Sequence, residues 1–214
     1  MLRLEEIEVK IRDAILRGEY RAGERLVEAD LISKYEASRT IVRESLRNLN
    51  ATGLLRYVPK KGHSDRKFSL EEIKNIYDLI CLMEGYACKI ATPLFKKQDV
   101  DDLKKLQEQI KSAVKKNDFK KYRELNASFH GLFVNLTGNK VLEEEVIRLR
   151  TRINTYRYLV LMIPGALENY TQDHETIIRY VLKKDPQKVK LAMLKHIERV
   201  KDNLIHAIEN SPLR

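Results

Sequence analysis

Four side chains in the second half of the chain could bind one metal ion: Asn126, His130, His174 and His196. Asn126 and His130 are four residues apart, so both point from the same face of a helix. His174 lies 11 residues before Asp185, and His196 lies 11 residues after it. If the last two helices form an antiparallel hairpin about this turn, the two imidazoles come level with each other. All four side chains can therefore share a site in a helical core.

Three imidazoles and an amide oxygen suit a borderline divalent ion such as Zn, Ni or Mn, with one or two coordination positions left open. Because all four ligands are neutral, the ion would keep its full charge and attract an anionic effector. A metal-free polar cluster around an organic ligand is the alternative. Asp173 and Glu175 flank His174 and are either partners for a ring N–H or surface charges. His63 and His206 fall outside this level and are interpreted as incidental.

The composition excludes several classes of protein. The chain has 214 residues, of which 43% are hydrophobic and 34% charged, so it can bury a core in one large domain or two modest ones. No apolar run reaches the ~18 residues that span a bilayer, and the N-terminus lacks the apolar segment of a secretion signal. Cys81 and Cys88 are too few for a disulfide framework and are expected to be buried thiols. We expect a cytoplasmic protein that does not bind membranes.

Positive charge is concentrated in a short segment of this chain, whose net charge is +10. Residues 37–68 contain eight Lys or Arg and two acidic residues, whereas residues 1–36 contain seven and nine. A basic segment in the first third of a chain is typical of a small DNA-binding module joined to a larger domain. A solvated charged surface is the alternative interpretation.

The basic segment lies in a region that predicts three helices and a hairpin. Apolar residues recur at helical spacing in residues 4–17, a second short helix is predicted over 26–35, and a third begins at Ser38, a good N-cap. Two short runs around Pro59–Gly62 predict a β-hairpin with a basic tip. Residues 1–68 therefore predict a winged helix-turn-helix domain.

The rest of the chain, residues 69–214, predicts helices joined by short loops. Capping residues and Pro or Gly interruptions mark their ends. Six antiparallel helices of this kind form a bundle, so the fold class is mainly α. The predicted helices cover residues 69–91, 99–116, 118–138 and 141–161, a segment from Pro164–Gly165 to 183, and residues 185–208.

The stretch IRDAILRGEYRAGERLVEADLISKYEASRTIVRESLRNLNATGLL resembles the DNA-binding domain of the GntR family of bacterial transcriptional regulators. Its G-E-R-L, S-R-T-x-V-R-E-x-L and G-L-L blocks carry the resemblance. The C-terminal part is similar to the FCD type of effector domain, as in FadR-like regulators of organic-acid metabolism. Its motifs are N-x-x-x-H, D-H-x-x-I and M-x-x-H, which end at His130, Ile177 and His196. The resemblance implies a small carboxylate effector.

Three residues depart from the pattern of this family. Glu36 stands where Gly is usual, in the turn between the two helices of the reading motif, and would cost ~1 kcal/mol if its φ is positive. Ile41 replaces a common Pro, which is tolerable in a first helical turn. Asn126 stands where Asp is frequent, so the ligand set has one negative charge fewer.

The N-terminal residues of a recognition helix lie against base edges in the major groove. Here those residues are Ser38, Arg39, Thr40 and Arg43. Arg39 and Arg43 are four residues apart and project from one face, and Arg makes bidentate bonds to guanine that discriminate by ~1–3 kcal/mol. Ser38 and Thr40 can bind phosphate at the helix N-terminus.

Several further basic residues are candidates for ligand contacts. Arg47 lies one turn further along the reading helix, where a phosphate contact and a surface ion pair are both open. The wing tip Lys60–Gly62, which includes Lys61, suits the DNA backbone or minor groove, with a solvated turn as the alternative. Arg152 and Arg157 lie on a predicted helix of the bundle, and one of them is suggested as a clamp for the effector's carboxylate.

These observations predict a ligand-responsive transcriptional regulator rather than an enzyme. It would bind a double-stranded DNA operator with an inverted repeat as a homodimer, because reading a palindrome requires two-fold symmetry, and it would associate with the nucleoid when DNA-bound. A regulator whose effector is the metal ion itself is an alternative. A metalloenzyme is another, since three histidines with an open position also hold catalytic zinc; against it, no acidic residue is obviously placed as a general base.

Overall fold

The structure is a computed structural model, which describes residues 3–16, 19–20, 23–51, 54–58, 62–65, 68–161 and 163–210. The described residues form ten α-helices and three short strands. The chain divides into two compact units, the first made of residues 1–69 and 148–158 and the second of residues 70–147 and 159–214. The predicted class, mainly α with a winged helix-turn-helix and a helical bundle, is confirmed.

Within the described part of the chain, no helix is both long enough and apolar enough to cross a bilayer. A 3₁₀ turn at Thr92–Leu94 follows the fourth helix. The elements in chain order are α1 (Leu4–Leu16), β1 (Arg25–Leu26), α2 (Glu28–Tyr35), α3 (Arg39–Ala51), β2 (Leu55–Val58), β3 (Gly62–Asp65), α4 (Leu70–Ala91), α5 (Lys97–Lys115), α6 (Phe119–Leu136), α7 (Lys140–Arg152), α8 (Asn154–Leu161), α9 (Ala166–Leu182) and α10 (Pro186–Glu209).

The core of the first unit lies between α1 and α3, with α2 closing one side. Apolar side chains recur every three or four residues in each helix, which places them on one stripe. Strands β1 and β2 contribute further apolar residues to the same cluster. The fully or almost fully buried members are Ile7, Ile11, Ile15, Leu26, Leu31, Val42, Leu46, Leu49, Leu54 and Leu55.

The wing is a three-stranded antiparallel sheet of order β1-β3-β2, where the sequence predicted two strands. Leu26 was predicted to begin the second helix; instead it pairs with His63 across β1 and β3, and the helix begins at Glu28. Leu26 forms a strand pair and not a helical turn because the pairing buries its side chain in the core of the unit. His63 is buried and its ring lies 5.1 Å from that of Tyr57, so it is part of the wing's packing.

Glu36 ends α2 in the left-handed conformation, with φ +50° and ψ +40°. Its backbone N–H donates to the carbonyl of Ile32, which caps the helix. A left-handed L-residue costs ~1–2 kcal/mol, whereas Gly adopts this conformation freely. The left-handed conformation of Glu36, in the turn before the reading helix, is therefore the structural cause of the predicted strain.

Replacing Glu36 by Gly should raise the free energy of unfolding by ~0.5–1 kcal/mol, since relief of the left-handed strain exceeds the entropy that Gly adds to the unfolded chain. Urea unfolding followed by circular dichroism measures the change. Ser33→Gly is the matched control, because Ser33 lies within α2 and Gly there should lower stability by a similar amount. Equal or lower stability of Glu36→Gly would contradict the interpretation.

The second unit is a bundle in which α4 packs along α10 and also against α6, while α5 packs against α6 and α9. The buried face of α4 follows a spacing of four, three, four, three and four residues, as an amphipathic helix requires. One member of that face is acidic, which is unusual in an otherwise apolar stripe. The residues at this spacing are Ile73, Tyr77, Ile80, Glu84, Ala87 and Ala91, and Ile76, Gly85 and Cys88 are buried beside them.

Further predicted helix limits differ from the structure. The predicted helix 141–161 is two helices, α7 and α8, separated at the buried Ile153. Residues 148–158 belong to the first unit, where the Phe68 N–H donates to the Tyr156 hydroxyl at 2.6 Å. Helix α5 begins at Lys97 rather than Asp99, because the Asp99 carboxylate reaches back to accept the Lys96 N–H at 2.8 Å.

Candidate functional sites

Three histidines from three different helices meet in the core of the second unit. His130 comes from α6, His174 from α9 and His196 from α10, and each side chain is at most 3% exposed. Ligand nitrogens of all three lie within 4.8 Å of one another. The structure thus brings together the imidazoles that the hairpin arithmetic placed level with each other.

Asn126 lies one turn before His130 on the same helix and is 2% exposed. Its Oδ1 has no hydrogen-bond partner among the described residues. A buried oxygen without a partner costs ~1–3 kcal/mol, so its position is explained if it binds a ligand. Three imidazoles and this amide oxygen are donors that a borderline divalent ion accepts, and the residues present fit such an ion.

Glu84 is a residue of this site that the sequence analysis missed. It is 1% exposed on α4, and its Oε2 lies 2.7 Å from Nδ1 of His130. A carboxylate that holds one ring nitrogen orients the imidazole and leaves the other nitrogen for a metal. The four proposed ligands are neutral, but Glu84 brings a carboxyl group to one of them. Its signal in the sequence is an acidic residue at a core position of an apolar helix.

The second carboxylate beside the histidines is Asp173. Its Oδ2 lies 3.4 Å from Nδ1 of His196 and 3.0 Å from Nε of Arg199. Asp173 therefore contacts His196 and not the adjacent His174. Glu175 forms an exposed ion pair with Lys111 at 2.9 Å. Of the two acidic residues that flank His174, only Asp173 adjoins the histidine cluster in the described structure.

Aromatic rings hold the histidines in place. Phe129 stacks on His174 with ring centroids 3.9 Å apart and an angle of 10° between the planes. Tyr170 meets His196 edge to face at 5.7 Å, and its hydroxyl accepts a hydrogen bond from Asn203 at 2.8 Å. Rings packed in this way have little rotamer freedom, which favours a preorganised set of ligands.

The two arginines suggested as a carboxylate clamp lie in residues 148–158, which belong to the first unit. The guanidinium of Arg152 lies 5.4 Å from the centre of the Phe68 ring. Arg157 is half-buried on α8. The histidines belong to the second unit, so the assignment of Arg152 and Arg157 to effector binding stays a prediction.

Helix α3 presents a basic stripe to solvent. The Ser38 hydroxyl accepts a hydrogen bond from the backbone N–H of Ile41 at 3.3 Å, so Ser38 is the predicted N-cap. A Pro at position 41 would have no N–H to donate to it. The side chains of Arg39, Arg43 and Arg47 are exposed at intervals of four residues, and Thr40 is exposed beside them. Val42 and Leu46, on the opposite face, are fully buried.

Arg43 is held by an acidic residue of the preceding helix. Its Nε donates to Oε2 of Glu28 at 2.8 Å, and both side chains are partly exposed. A surface ion pair of this kind contributes little to stability, typically ~0–1 kcal/mol. It nevertheless favours one direction of the guanidinium, with Nε toward Glu28.

Of the predicted wing tip, the structure describes Gly62. Lys60 and Lys61 lie outside the described residues. Gly62 begins β3 with φ +81°, and a Cβ built on it would lie 3.7 Å from Nε of Arg25. Arg25 is exposed on β1, beside the tip, and was not singled out from the sequence because the strand that carries it is two residues long.

Comparison with known families identifies the two parts of the chain. Residues 3–63 match the family described as bacterial regulatory proteins, gntR family. Residues 75–199 match the FCD domain. The chain belongs to the GntR family of bacterial regulators with an FCD domain. It is therefore a DNA-binding transcriptional regulator and not an enzyme, which sets aside the metalloenzyme alternative.

Relatives and solved structures agree with this GntR assignment. The HTH-type transcriptional regulator YdhC of Bacillus subtilis is 24% identical over 94% of this chain and 90% of its own length. The HTH-type transcriptional repressor RspR of Escherichia coli is 21% identical over 85% of this chain and 80% of its own. The solved structure of E. coli McbR/YncC has a TM-score of 0.84 at 20% identity, covering 98% of this chain and all of that one.

Proposed function

We propose that this GntR regulator responds to a small carboxylate that binds a divalent transition metal ion in its FCD domain. Asn126, His130, His174 and His196 would hold the ion, with Zn, Ni or Mn as the candidates. The observation that carries the proposal is the convergence of three buried imidazoles within 4.8 Å beside the partnerless Oδ1 of Asn126. When bound, the ion supplies open coordination positions for anionic oxygen atoms.

The charge around the histidines supports an anionic effector. The carboxyl group of Glu84 adjoins His130, and Asp173 is paired with the guanidinium of Arg199. A divalent ion would therefore leave the site with a net positive charge even if Glu84 is ionised. An anion at the open positions reduces that charge in a buried site, which favours its binding.

The proposed DNA contacts follow the exposed face of α3 and the wing. Arg39 and Arg43 would read base edges in the major groove, since they are exposed at helical spacing near the start of α3. The remaining candidates would bind phosphates and fix the register, which adds affinity that depends on salt. They are Ser38, Thr40, Arg47, Lys60, Lys61 and Gly62.

The proposed assembly is a homodimer on an inverted-repeat operator in the cytoplasm, associated with the nucleoid when bound. Two-fold symmetry in the DNA is matched by two-fold symmetry in the protein. Effector and operator affinities must then be linked reciprocally, typically by ~1–3 kcal/mol. Operator affinity measured for the metal-free protein, after metal addition and after addition of carboxylates tests this. A change on metal addition alone would make the ion itself the effector.

Arg43→Ala should weaken binding to the selected operator by ~1–3 kcal/mol and relax base preference at one position per half-site. The reason is the loss of a bidentate contact to a base. Lys60→Ala is the control, because loss of a phosphate contact weakens binding to all sequences and lowers the salt slope by about one unit. Fluorescence anisotropy at matched salt gives both values, and equal operator affinity for wild type and Arg43→Ala would rule out the contact.

A further inference from the structure

Helix α5 buries one amide side chain in an otherwise apolar face. The face consists of Leu103, Gln107, Ile110 and Ala113. Gln107 is its polar member and is 3% exposed. A polar side chain at a core position is unusual unless it has hydrogen-bond partners. The position of Gln107 is therefore to be explained by what its amide contacts.

The orientation of the Gln107 amide is fixed by the backbone of α9. Its Nε2 donates to the carbonyl oxygen of Thr171 at 2.8 Å. A carbonyl oxygen can only accept, so a reversed amide would place two oxygens against each other. The Oε1 atom is buried and has no hydrogen-bond partner among the described residues. An acceptor of this kind costs free energy unless a donor from a ligand reaches it.

Gln107 lies level with the histidine cluster. Its contact with Thr171 and the ion pair of Lys111 with Glu175 are both four residues apart on each helix, so α5 and α9 run parallel. Helical side chains tilt toward the N-terminus of their helix, so the His174 imidazole leans back toward the turn that contains Thr171. The Gln107 amide and the His174 ring therefore occupy the same level of the bundle.

The five long helices of the second unit form a closed ring around this level. Helix α4 packs on α10, α10 on α9, α9 on α5, α5 on α6 and α6 on α4. Three of these helices supply the histidines, and α4 supplies Glu84, which contacts His130. Helix α5 is the remaining side of the ring, and its buried polar side chain is Gln107. The open coordination positions of a bound ion are therefore expected to face α5.

We propose that Gln107 is an effector-binding residue, whose Oε1 accepts a hydrogen bond from a hydroxyl or ammonium group that the effector carries beside its carboxylate. This role rests on the proposed function, which places the carboxylate on the ion, and it adds a second group by which the effector is recognised. A carboxylate without such a donor leaves Oε1 unpartnered in a buried site. A site built around a hydrogen bond discriminates against ligands that cannot form it.

Titration calorimetry of the zinc-loaded full chain with lactate, alanine and propionate tests this role. The probes share one carbon skeleton and differ in the group beside the carboxylate, which is a hydroxyl, an ammonium or a hydrogen. Lactate or alanine should bind the wild type roughly 10-fold more tightly than propionate does. Gln107→Met keeps the length of the side chain without the acceptor, so it should reduce this preference to about twofold or less and leave propionate affinity unchanged.

Gln109→Met is the matched control, because Gln109 is exposed on the same helix and should keep the wild-type preference. Zinc affinity should be unchanged in both variants, since neither residue is a proposed ligand. Urea unfolding of the metal-free protein separates a structural role from a binding role. Gln107→Met should be at least as stable as the wild type, because it removes an unpartnered acceptor while the Thr171 carbonyl keeps its bond within α9.

The outcomes separate the role of Gln107 from the proposed function. Equal binding of the three probes by the wild type, or a preference that survives in Gln107→Met, would overturn this role while leaving a metal-bound carboxylate intact. A loss of stability with an unchanged preference would make Gln107 only a brace between α5 and α9. Absence of binding by all three probes, in protein that retains zinc, would overturn the carboxylate effector as well.

Discussion

His174→Ala and His196→Ala are each expected to lose the metal under conditions in which the wild-type chain retains it. Removal of one of three buried imidazoles leaves two nitrogen donors and one amide oxygen, too few strong ligands for a transition metal. The loss of affinity should exceed the roughly 10–100-fold that is typical when a partner outside the ligand set is removed. Elemental analysis after dialysis against a mild chelator measures it.

Two further variants make this result specific to the shared site. His206→Ala should retain the metal, because His206 is exposed on α10 outside the cluster. Asn126→Asp should bind the metal more tightly and an anionic effector more weakly, since it adds a negative charge to the ligand set. If His174→Ala keeps the wild-type metal content, the shared site is wrong and a metal-free polar cluster takes its place.

Glu84→Gln is expected to lower metal affinity roughly 10–100-fold while leaving the fold intact. The amide oxygen of Gln can still accept a hydrogen bond from Nδ1 of His130, so the ring keeps its position and only the carboxylate is lost. Calorimetric titration with Zn, together with circular dichroism, separates affinity from folding. Glu175→Gln is the control, because Glu175 lies in an exposed ion pair with Lys111.

Combination with Asn126→Asp tests whether charge is the cause. The double variant Glu84→Gln/Asn126→Asp moves one carboxylate from beside a ligand into the ligand set and should recover most of the lost affinity. Wild-type affinity of the single variant Glu84→Gln would show that Glu84 only satisfies a buried imidazole and contributes nothing to metal binding.

The sequence predicted the parts of the site that depend on spacing along one helix or across one turn. His174 and His196 could be placed level because a short turn at Asp185 joins their helices. Glu84 could not, since it lies 46 residues before His130 and its helix meets α6 only in the folded bundle. The missed acidic residue had a local signal, but that signal identifies a buried carboxyl group and not its partner.

The parts of the fold that the sequence did not predict lack a strong local pattern. Strand β1 is two residues long, too short for an alternation of apolar and polar residues to show. The break at Ile153 has neither Gly nor Pro beside it, so helical periodicity continued through it. Both features arise from tertiary packing, since Leu26 is buried in the core of the first unit and Ile153 is 1% exposed.

The ion pair between Arg43 and Glu28 engages Nε of the guanidinium, and the terminal nitrogens of an arginine can donate two parallel bonds to one guanine while such a pair is kept. On random sequence the guanidinium would gain a single phosphate, and the Glu28 carboxylate beside it would repel the same polyanion. On the proposed operator contact the pair orients the guanidinium for two bonds to one guanine, which offsets that repulsion. The Glu28 carboxylate therefore reduces binding to random sequence more than binding to the operator. Because a genome offers roughly 10⁶–10⁹ competing positions, the ratio of operator affinity to random-sequence affinity sets the share of regulator molecules that occupy the operator.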